Sequence, residues 1–260
     1  MQRDERLRAI LDLLGMDGTL DVDQIVETFG VSPATARRDL DVLAGRRLLN
    51  RTRGGATAAG VAYDLPLRYK REQHADAKAR IAREAQSLIR PGHSIGFSGG
   101  TTITAVAADL ATRPDIADAP EQTVTVVTNA LNIAMQLAVR PQFRVVVSGG
   151  VIHSRSYELI GPYAEVVLER ISLDVALLGV NGMDLSTGPT VHDEREARVN
   201  ELLAGRAREA WIAADSSKLS VRALAQVAPW SAFHGLITDR DLPGDARREL
   251  ESLGLDVRAV

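Results

Sequence analysis

The sequence predicts an α/β chain in two parts: a small helical module ending in a basic ribbon, then a larger, mostly parallel sheet covered by helices on both faces. Three observations carry this. Residues 1 to about 57 hold three apolar stripes at helical spacing. From residue 93 onward, short apolar runs alternate with helical stretches. Successive ends of those runs are rich in Gly, Ser, Thr and Asn.

Composition sets the limits. A chain of 260 residues with 45% hydrophobic content can bury one large core or two smaller ones. The formal net charge of -3 excludes a uniformly basic nucleic-acid coat, so any DNA contact has to come from a local patch. The absence of cysteine leaves no disulfide framework and no thiolate metal site, which suits a reducing cytoplasm. The N-terminus is charged (Arg3, Asp4, Glu5, Arg6) without an apolar signal core, and no run approaches the ~18 apolar residues of a membrane span. A cytoplasmic protein with no membrane partner is therefore expected. The five histidines (His74, His93, His153, His192, His234) are dispersed, and neither G-x-x-x-x-G-K-[ST] nor G-x-G-x-x-G is present. No metal and no cofactor are expected.

In the module, Leu7, Ile10, Leu11 and Leu14 follow helical spacing, and Gly15 and Gly18 are expected to end that helix. Val22, Ile25, Val26 and Phe29 repeat the pattern, and Gly30 closes the second helix. The third begins at Ser32, an N-cap whose hydroxyl can take a free backbone N–H, with Pro33 at the first helical position. Ala36, Leu40 and Leu43 form its buried stripe. Helix, Gly-containing turn and capped second helix are the signature of a helix-turn-helix. Thr35, Arg37 and Arg38 lie off the stripe near the helix N-terminus, an end that already favours anions. The segment Leu48–Ala56 reads as a β-wing whose Arg51 and Arg53 face phosphates.

Charge supports this reading. Up to residue 27, Asp4, Glu5, Asp12, Asp17, Asp21, Asp23 and Glu27 outnumber Arg3, Arg6 and Arg8. From 28 to 57, Arg37, Arg38, Arg46, Arg47, Arg51 and Arg53 face only Asp39 and Asp41. One end of the module is cationic, as phosphate contacts with double-stranded DNA require. The expected DNA-contact set is Ser32, Thr35, Arg37, Arg38, Arg51 and Arg53.

Three segments follow from this: a winged helix-turn-helix over 1–57, a small-residue linker over 58–73, and an α/β effector-binding domain over 74–260. A helix is expected from His74 to Ile89. Expected strands are Ile95–Ser98, Val124–Thr128, Arg144–Ser148, Val175–Val180, Trp211–Asp215 and Leu236–Thr238, with Leu255–Val260 as an edge strand. Expected helices between them are Thr102–Leu110, Ala130–Val139, Tyr163–Arg170 and Glu194–Ala207.

Ligands of such sheets sit at the C-terminal ends of the strands. The first end carries Ser98 followed by Gly99, Gly100, Thr101 and Thr102, a loop entering a helix whose N–H groups can cradle a phosphate. The next carry Thr128 and Asn129, then Gly149 and Gly150, then Asn181 and Gly182. The last carries Asp215, Ser216, Ser217 and Lys218, where a compact ammonium suits a phosphate. Glu196, in a helix-opening acidic cluster, can accept sugar hydroxyls. His153 and Arg155 lie just past Gly150.

The run Phe29-Gly30-Val31-Ser32-Pro33-Ala34-Thr35-Ala36-Arg37-Arg38-Asp39-Leu40, followed by Arg51-Thr52-Arg53-Gly54-Gly55-Ala56, resembles the DeoR family of bacterial transcriptional regulators. Ala36 stands where that family usually has a larger aliphatic residue, and Arg53 where it has histidine. The resemblance continues through Ser98–Thr102, Val126–Asn129, Gly149-Gly150, Gly161, Gly179–Gly182, Glu196-Ala197, Asp215–Lys218 and Ile237–Asp239. It implies an effector domain similar to ribose-5-phosphate isomerase and glucosamine-6-phosphate deaminase that senses a phosphorylated sugar. The family's first loop usually reads D-S-G-T-T, and here Ser98-Gly99 replaces Asp-Ser.

The leading expectation is a repressor of carbohydrate catabolism released from its operator by a sugar phosphate, working as a dimer or tetramer because paired readers match two half-sites. An isomerase or deaminase with an accessory DNA module is the alternative, with Asp174, Asp215 and Glu196 as available bases. An architectural DNA binder with a vestigial pocket is the third.

Overall fold

The computed structural model describes residues 2–46, 48–58 and 73–260. The chain divides into two compact units, Met1–Leu65 and Pro66–Val260. Most of the expected linker, 58–73, lies outside the described residues.

The first unit runs α1 (Arg3–Asp17), β1 (Thr19–Asp21), α2 (Val22–Phe29), α3 (Pro33–Gly45), β2 (Leu49–Arg51) and β3 (Gly55–Ala58). Leu7, Ile10, Leu11, Leu14, Ile25, Ala36, Leu40 and Leu43 are fully buried, as their spacing requires. α1 does not end at Gly15. It continues to Asp17, and Gly18 makes the turn at φ 71°. A glycine in the last turn costs only ~1 kcal/mol relative to alanine, so it need not stop a helix. α2 opens on Asp21, whose N–H donates to Gln24 Oε1 at 2.8 Å, and closes on Gly30 at φ 62°. The wing strands are antiparallel, with β3 in the middle of an order β1-β3-β2. β1 was not legible, since three residues with one buried side chain, Leu20, carry no period. Gly55 lets β3 approach β1: a Cβ there would lie 2.8 Å from the Asp21 Cα.

The second unit starts with α4 (Ala75–Ala85), whose last turn tightens to a 3₁₀ helix over Gln86–Leu88, then β4 (Ser94–Phe97), α5 (Thr101–Leu110) and α6 (Pro114–Ala117). Next come β5 (Val124–Thr128), α7 (Leu131–Ala138), β6 (Phe143–Val147), β7 (Val151–His153), β8 (Glu158–Ile160) and α8 (Pro162–Leu168). They are followed by β9 (Leu173–Leu178), β10 (Gly182–Asp184), β11 (Gly188–Val191), α9 (Glu194–Arg206) and β12 (Ala207–Ala213). The unit ends with β13 (Ala225–Gln226), β14 (Gly235–Thr238), α10 (Gly244–Ser252) and β15 (Asp256–Ala259).

Seven strands form one parallel sheet in the order β15-β14-β12-β9-β4-β5-β6. Two apolar clusters fill its two faces, one containing Ile81, Ile103, Val106, Ile133 and Leu137, the other Val199, Leu203, Ile212 and Leu250. β12 begins four residues before the expected Trp211. The reason is tertiary: Ala207 and Glu209 pair with Leu173 and Val175 of β9, extending the strand through polar residues. The antiparallel pair β7–β8 and the small sheet β10-β11-β13 were also not foreseen. Their strands are two to four residues long.

The chain leaves β4 toward β5 and β6 on one side, and adds β9, β12, β14 and β15 on the other. β4 and β9 are thus neighbours whose onward connections run to opposite sides of the sheet, the switch point of a doubly wound fold.

Candidate effector site and nucleic-acid interface

In the first unit Ser32 caps α3 as its sequence requires: its Oγ accepts the Thr35 N–H at 3.2 Å and lies 3.0 Å from the Thr35 hydroxyl. Arg37 and Arg38, one turn into the helix, are exposed, and among the described residues neither has an acidic partner. Arg53, between the wing strands, is likewise exposed. Arg51 differs. Its Nε donates to Asp41 at 2.9 Å and its Nη1 to the Gly55 carbonyl, fastening the wing to α3. The structure therefore brings Arg37 and Arg38 together as open cations and commits Arg51 locally.

In the second unit the loop after β4 packs closely against the loop after β9. Ser98 is buried, and its Oγ accepts the Gly179 N–H at 2.9 Å. A Cβ on Gly179 would lie 2.9 Å from the Gly99 carbonyl oxygen, so glycine is what allows the two loops to meet. Gly100, at φ 97°, is the N-cap of α5 and faces open space. Its carbonyl accepts from the Thr104 N–H at 3.0 Å, leaving the N–H groups of Thr101, Thr102 and Ile103 without a helical acceptor. Such a helix end is a ready anion cradle.

A cavity of about 750 Å³ opens beside this end, walled by α4, α5, α7 and Tyr157. Its polar lining includes Lys78, Thr101, Thr104 and Asn132, with Arg83 and Asp109 farther along the same helices. Lys78 is buried, and its Nζ donates to the Gln73 carbonyl. The Thr104 hydroxyl donates to the Gly100 carbonyl at 2.7 Å and accepts from Asn132 Nδ2 at 2.8 Å. That fixes the Asn132 amide and leaves its buried Oδ1 with no hydrogen-bond partner among the described residues. The cavity thus joins a donor-rich end to a buried acceptor.

Lys78 was not singled out from sequence, yet its signal was present. Lys78, Ile81, Ala82 and Ala85 fall at i, i+3, i+4 and i+7 and are all buried, so the lysine sits on the inward stripe of α4. Lys218 lies in the turn Ser216–Lys218 after β12, two strands away from β4, and does not wall this cavity. Thr128 is fully buried and its Oγ1 accepts the Ala130 N–H at 3.0 Å, turning the chain into α7. Gly149 and Gly150 both have positive φ, and a Cβ on Gly150 would lie 2.8 Å from the Ile160 carbonyl oxygen. Asn181 accepts the His192 N–H at 3.2 Å, and Gly182 begins β10. Glu196 stands in the first turn of α9, behind the Asp193 cap.

The second unexpected residue is Glu158. It is 2% exposed, and its Oε1 accepts from the Gly99 N–H at 2.9 Å and from Asn129 Nδ2 at 3.3 Å. Burial raises its carboxyl above the usual range, and hydrogen bonds from Ser156, Gly99 and Asn129 offset this only in part. Ser156 is also hydrogen-bonded to His153 Nδ1 at 3.0 Å. Of the carboxylates available to an enzyme, Asp174 is excluded from this end. It lies at the N-terminal end of β9, accepting the Ser94 N–H at 2.8 Å, across the sheet from the glycine loops.

Comparison with known proteins now decides the class. Residues 6–60 match the DeoR-like helix-turn-helix domain, and residues 73–240 match the DeoR C-terminal sensor domain. The chain belongs to the DeoR family. An HTH-type transcriptional regulator GlpR of Haloferax volcanii is 34% identical over 97% of this chain and 96% of its own length. The glycerol-3-phosphate regulon repressor of Escherichia coli K12 is 30% identical over 94% of this chain and 93% of its own. A ribose 5-phosphate isomerase from Plasmodium falciparum matches 55% of this chain and 52% of its own at 14% identity, with a TM-score of 0.40. This DeoR-family chain is a DNA-binding transcriptional regulator, and no helix among its described residues is long and apolar enough to cross a membrane.

Proposed function

We propose that this regulator represses carbohydrate-catabolism genes and leaves its operator when a phosphorylated sugar occupies the sensor unit. The observation that carries the reading is the cavity beside Thr101, with free helix N–H groups and Lys78 for one phosphate and Asn132 Oδ1 for a hydroxyl. The repressor and regulon names of its relatives support the same sense. Lys78 is the phosphate anchor, and Lys218 a second cation farther along the row of strand ends.

On DNA, Arg37, Arg38 and Arg53 contact the operator, while Ser32, Thr35 and Arg51 hold the surfaces that carry them. Effector binding favours one arrangement of sensor domains over the DNA-competent one, so it shifts a population rather than competing for DNA. The working form is a cytoplasmic homo-oligomer, since two readers match two half-sites.

A thermal-shift screen with sugar and polyol monophosphates tests the effector class. A compound at ~100 times its dissociation constant adds about 2.7 kcal/mol to the native state. A panel without a single stabilising member contradicts the reading.

A further inference from the structure

Among the described residues the parallel sheet ends on β15 at one edge and on β6 at the other. The two edges are finished differently. β15 carries Asp256 and Arg258, an ion pair at 2.9 Å, and charge of this kind keeps a free edge from pairing with another strand. β6 reads Phe-Arg-Val-Val-Val, with one charge, four apolar side chains and no proline. Among the described residues it pairs with β5 alone, which leaves the outer row of its N–H and C=O groups without a strand partner.

The helices flanking this edge each carry a second apolar face. α7 packs on β6 and buries Ile133, Ala134 and Leu137, yet Met135 and the C-cap residue Val139 are 74% and 78% exposed. α8 buries Ala164 and Leu168, yet Tyr163 and Val166 are 73% and 55% exposed. A helix with apolar residues on both faces suits burial on both. Val147 and Val151, also exposed, continue the surface past the end of β6 toward α8, where a Cβ on Gly149 would lie 3.9 Å from the Tyr163 carbonyl oxygen. The six exposed side chains present on the order of 600–700 Å², above the usual apolar patch of a monomer and near the ~800 Å² that each partner gives a standard interface.

We propose that the β6 edge, with α7 and α8 on either side, is the surface through which two copies of this chain associate about a two-fold axis. An identical edge strand is its own complement. Under a two-fold normal to the sheet, β6 meets its copy antiparallel and their outer N–H and C=O rows pair. The same axis sets α7 against α7 and α8 against α8, apolar face to apolar face. This surface rests on the homo-oligomer proposed above and gives it a place on the fold.

The test is sedimentation equilibrium of the full chain. The 28.0 kDa wild-type chain is expected to form dimers, or tetramers built from them. Met135→Glu/Val166→Glu puts a charge on each flanking helix at a side chain exposed in the single copy. Its unfolding midpoint should match that of the wild type, while its dissociation constant rises at least about 100-fold. Leu224→Glu, at an exposed apolar residue beside β13, is expected to leave association unchanged. Hydrogen exchange of the unaltered protein needs no variant, and decides the matter should the double variant fail to fold. Exchange over residues 143–147 is expected to be slower above the dissociation constant than below it. A wild-type monomer overturns both this surface and the homo-oligomer. An oligomer that assembles equally well in the folded double variant overturns the surface and leaves the homo-oligomer standing. So does exchange over 143–147 that ignores association, or dissociation by Leu224→Glu to the same degree.

Discussion

Arg6 donates its Nε–H to Asp39 Oδ2 at 2.7 Å, joining α1 to α3, with Asp39 1% exposed. Arg3 lies 3.6 Å from the other carboxylate oxygen. Asp39 therefore does not balance Arg37 and Arg38 at the surface. It is consumed inside the unit by arginines of α1, and the face carrying Arg37 and Arg38 is more cationic than a sum along the sequence suggests. Asp39→Ala leaves Arg6 partly buried without its partner and should cost about 3 kcal/mol. Urea unfolding of the wild-type and variant proteins checks this, and a loss below about 1 kcal/mol would contradict the lock.

Arg37→Ala and Arg38→Ala remove exposed cations without breaking a contact. Stability should stay within about 0.5 kcal/mol, while operator affinity falls and the slope of log affinity against log salt drops by roughly 1 for each phosphate contact removed. Arg51→Ala should behave differently, losing the Asp41 and Gly55 ties and loosening the wing. DNA titrations at several salt concentrations separate these effects. An unchanged slope for both Arg37→Ala and Arg38→Ala would remove them from the interface.

Lys78→Gln should weaken a bound phosphate monoester by about 1.5–3 kcal/mol, roughly 10- to 150-fold, the worth of a hydrogen bond to a charged group. Operator affinity without effector should be unchanged. Lys218→Ala, measured in parallel, should have the smaller effect. Calorimetric titration with the best compound of the panel reads both, and a larger loss for Lys218→Ala would move the phosphate anchor to the end of β12.

Glu158 gives the sensor unit a pH dependence of known sign. Its carboxyl is raised from 4.5 by burial, so the folded chain holds that proton more tightly than the unfolded one. The associated stability is full below pH 4.5 and is lost as pH rises through the folded value. His153, linked through Ser156, is the titratable neighbour and lowers the carboxyl somewhat. Glu158→Gln carries no such proton, so its unfolding free energy should gain on the wild type as pH increases from 4.5 toward neutrality. A constant difference would show that burial does not control this group.

The sequence was most legible where one element supplies its own signal. The Ser32 cap, the Leu7–Leu14 stripe and the apolar cores of the parallel strands all repeat within a single segment, and each lies close to its expected place. What escaped depends on partners far along the chain. Glu158 sits in a three-residue strand, and its burial is made tolerable by donors from Gly99 and Asn129, 59 and 29 residues away. The start of β12 is fixed by pairing with β9 rather than by apolarity. Lys78 was legible in principle, since it lies on the buried stripe of α4, but a lysine there reads as a surface residue until the cavity beside it is seen.

The coupling between effector and DNA is the claim on which the account turns. The direct measurement is affinity for a duplex that the protein itself selects from a random pool, with and without a saturating monophosphate from the thermal screen. Affinity should fall at least about tenfold for the wild type, about 1.4 kcal/mol of coupling, and remain unchanged for Lys78→Gln at the same concentration. Unaltered DNA affinity of the wild type in the presence of a compound that demonstrably binds would contradict release by the effector.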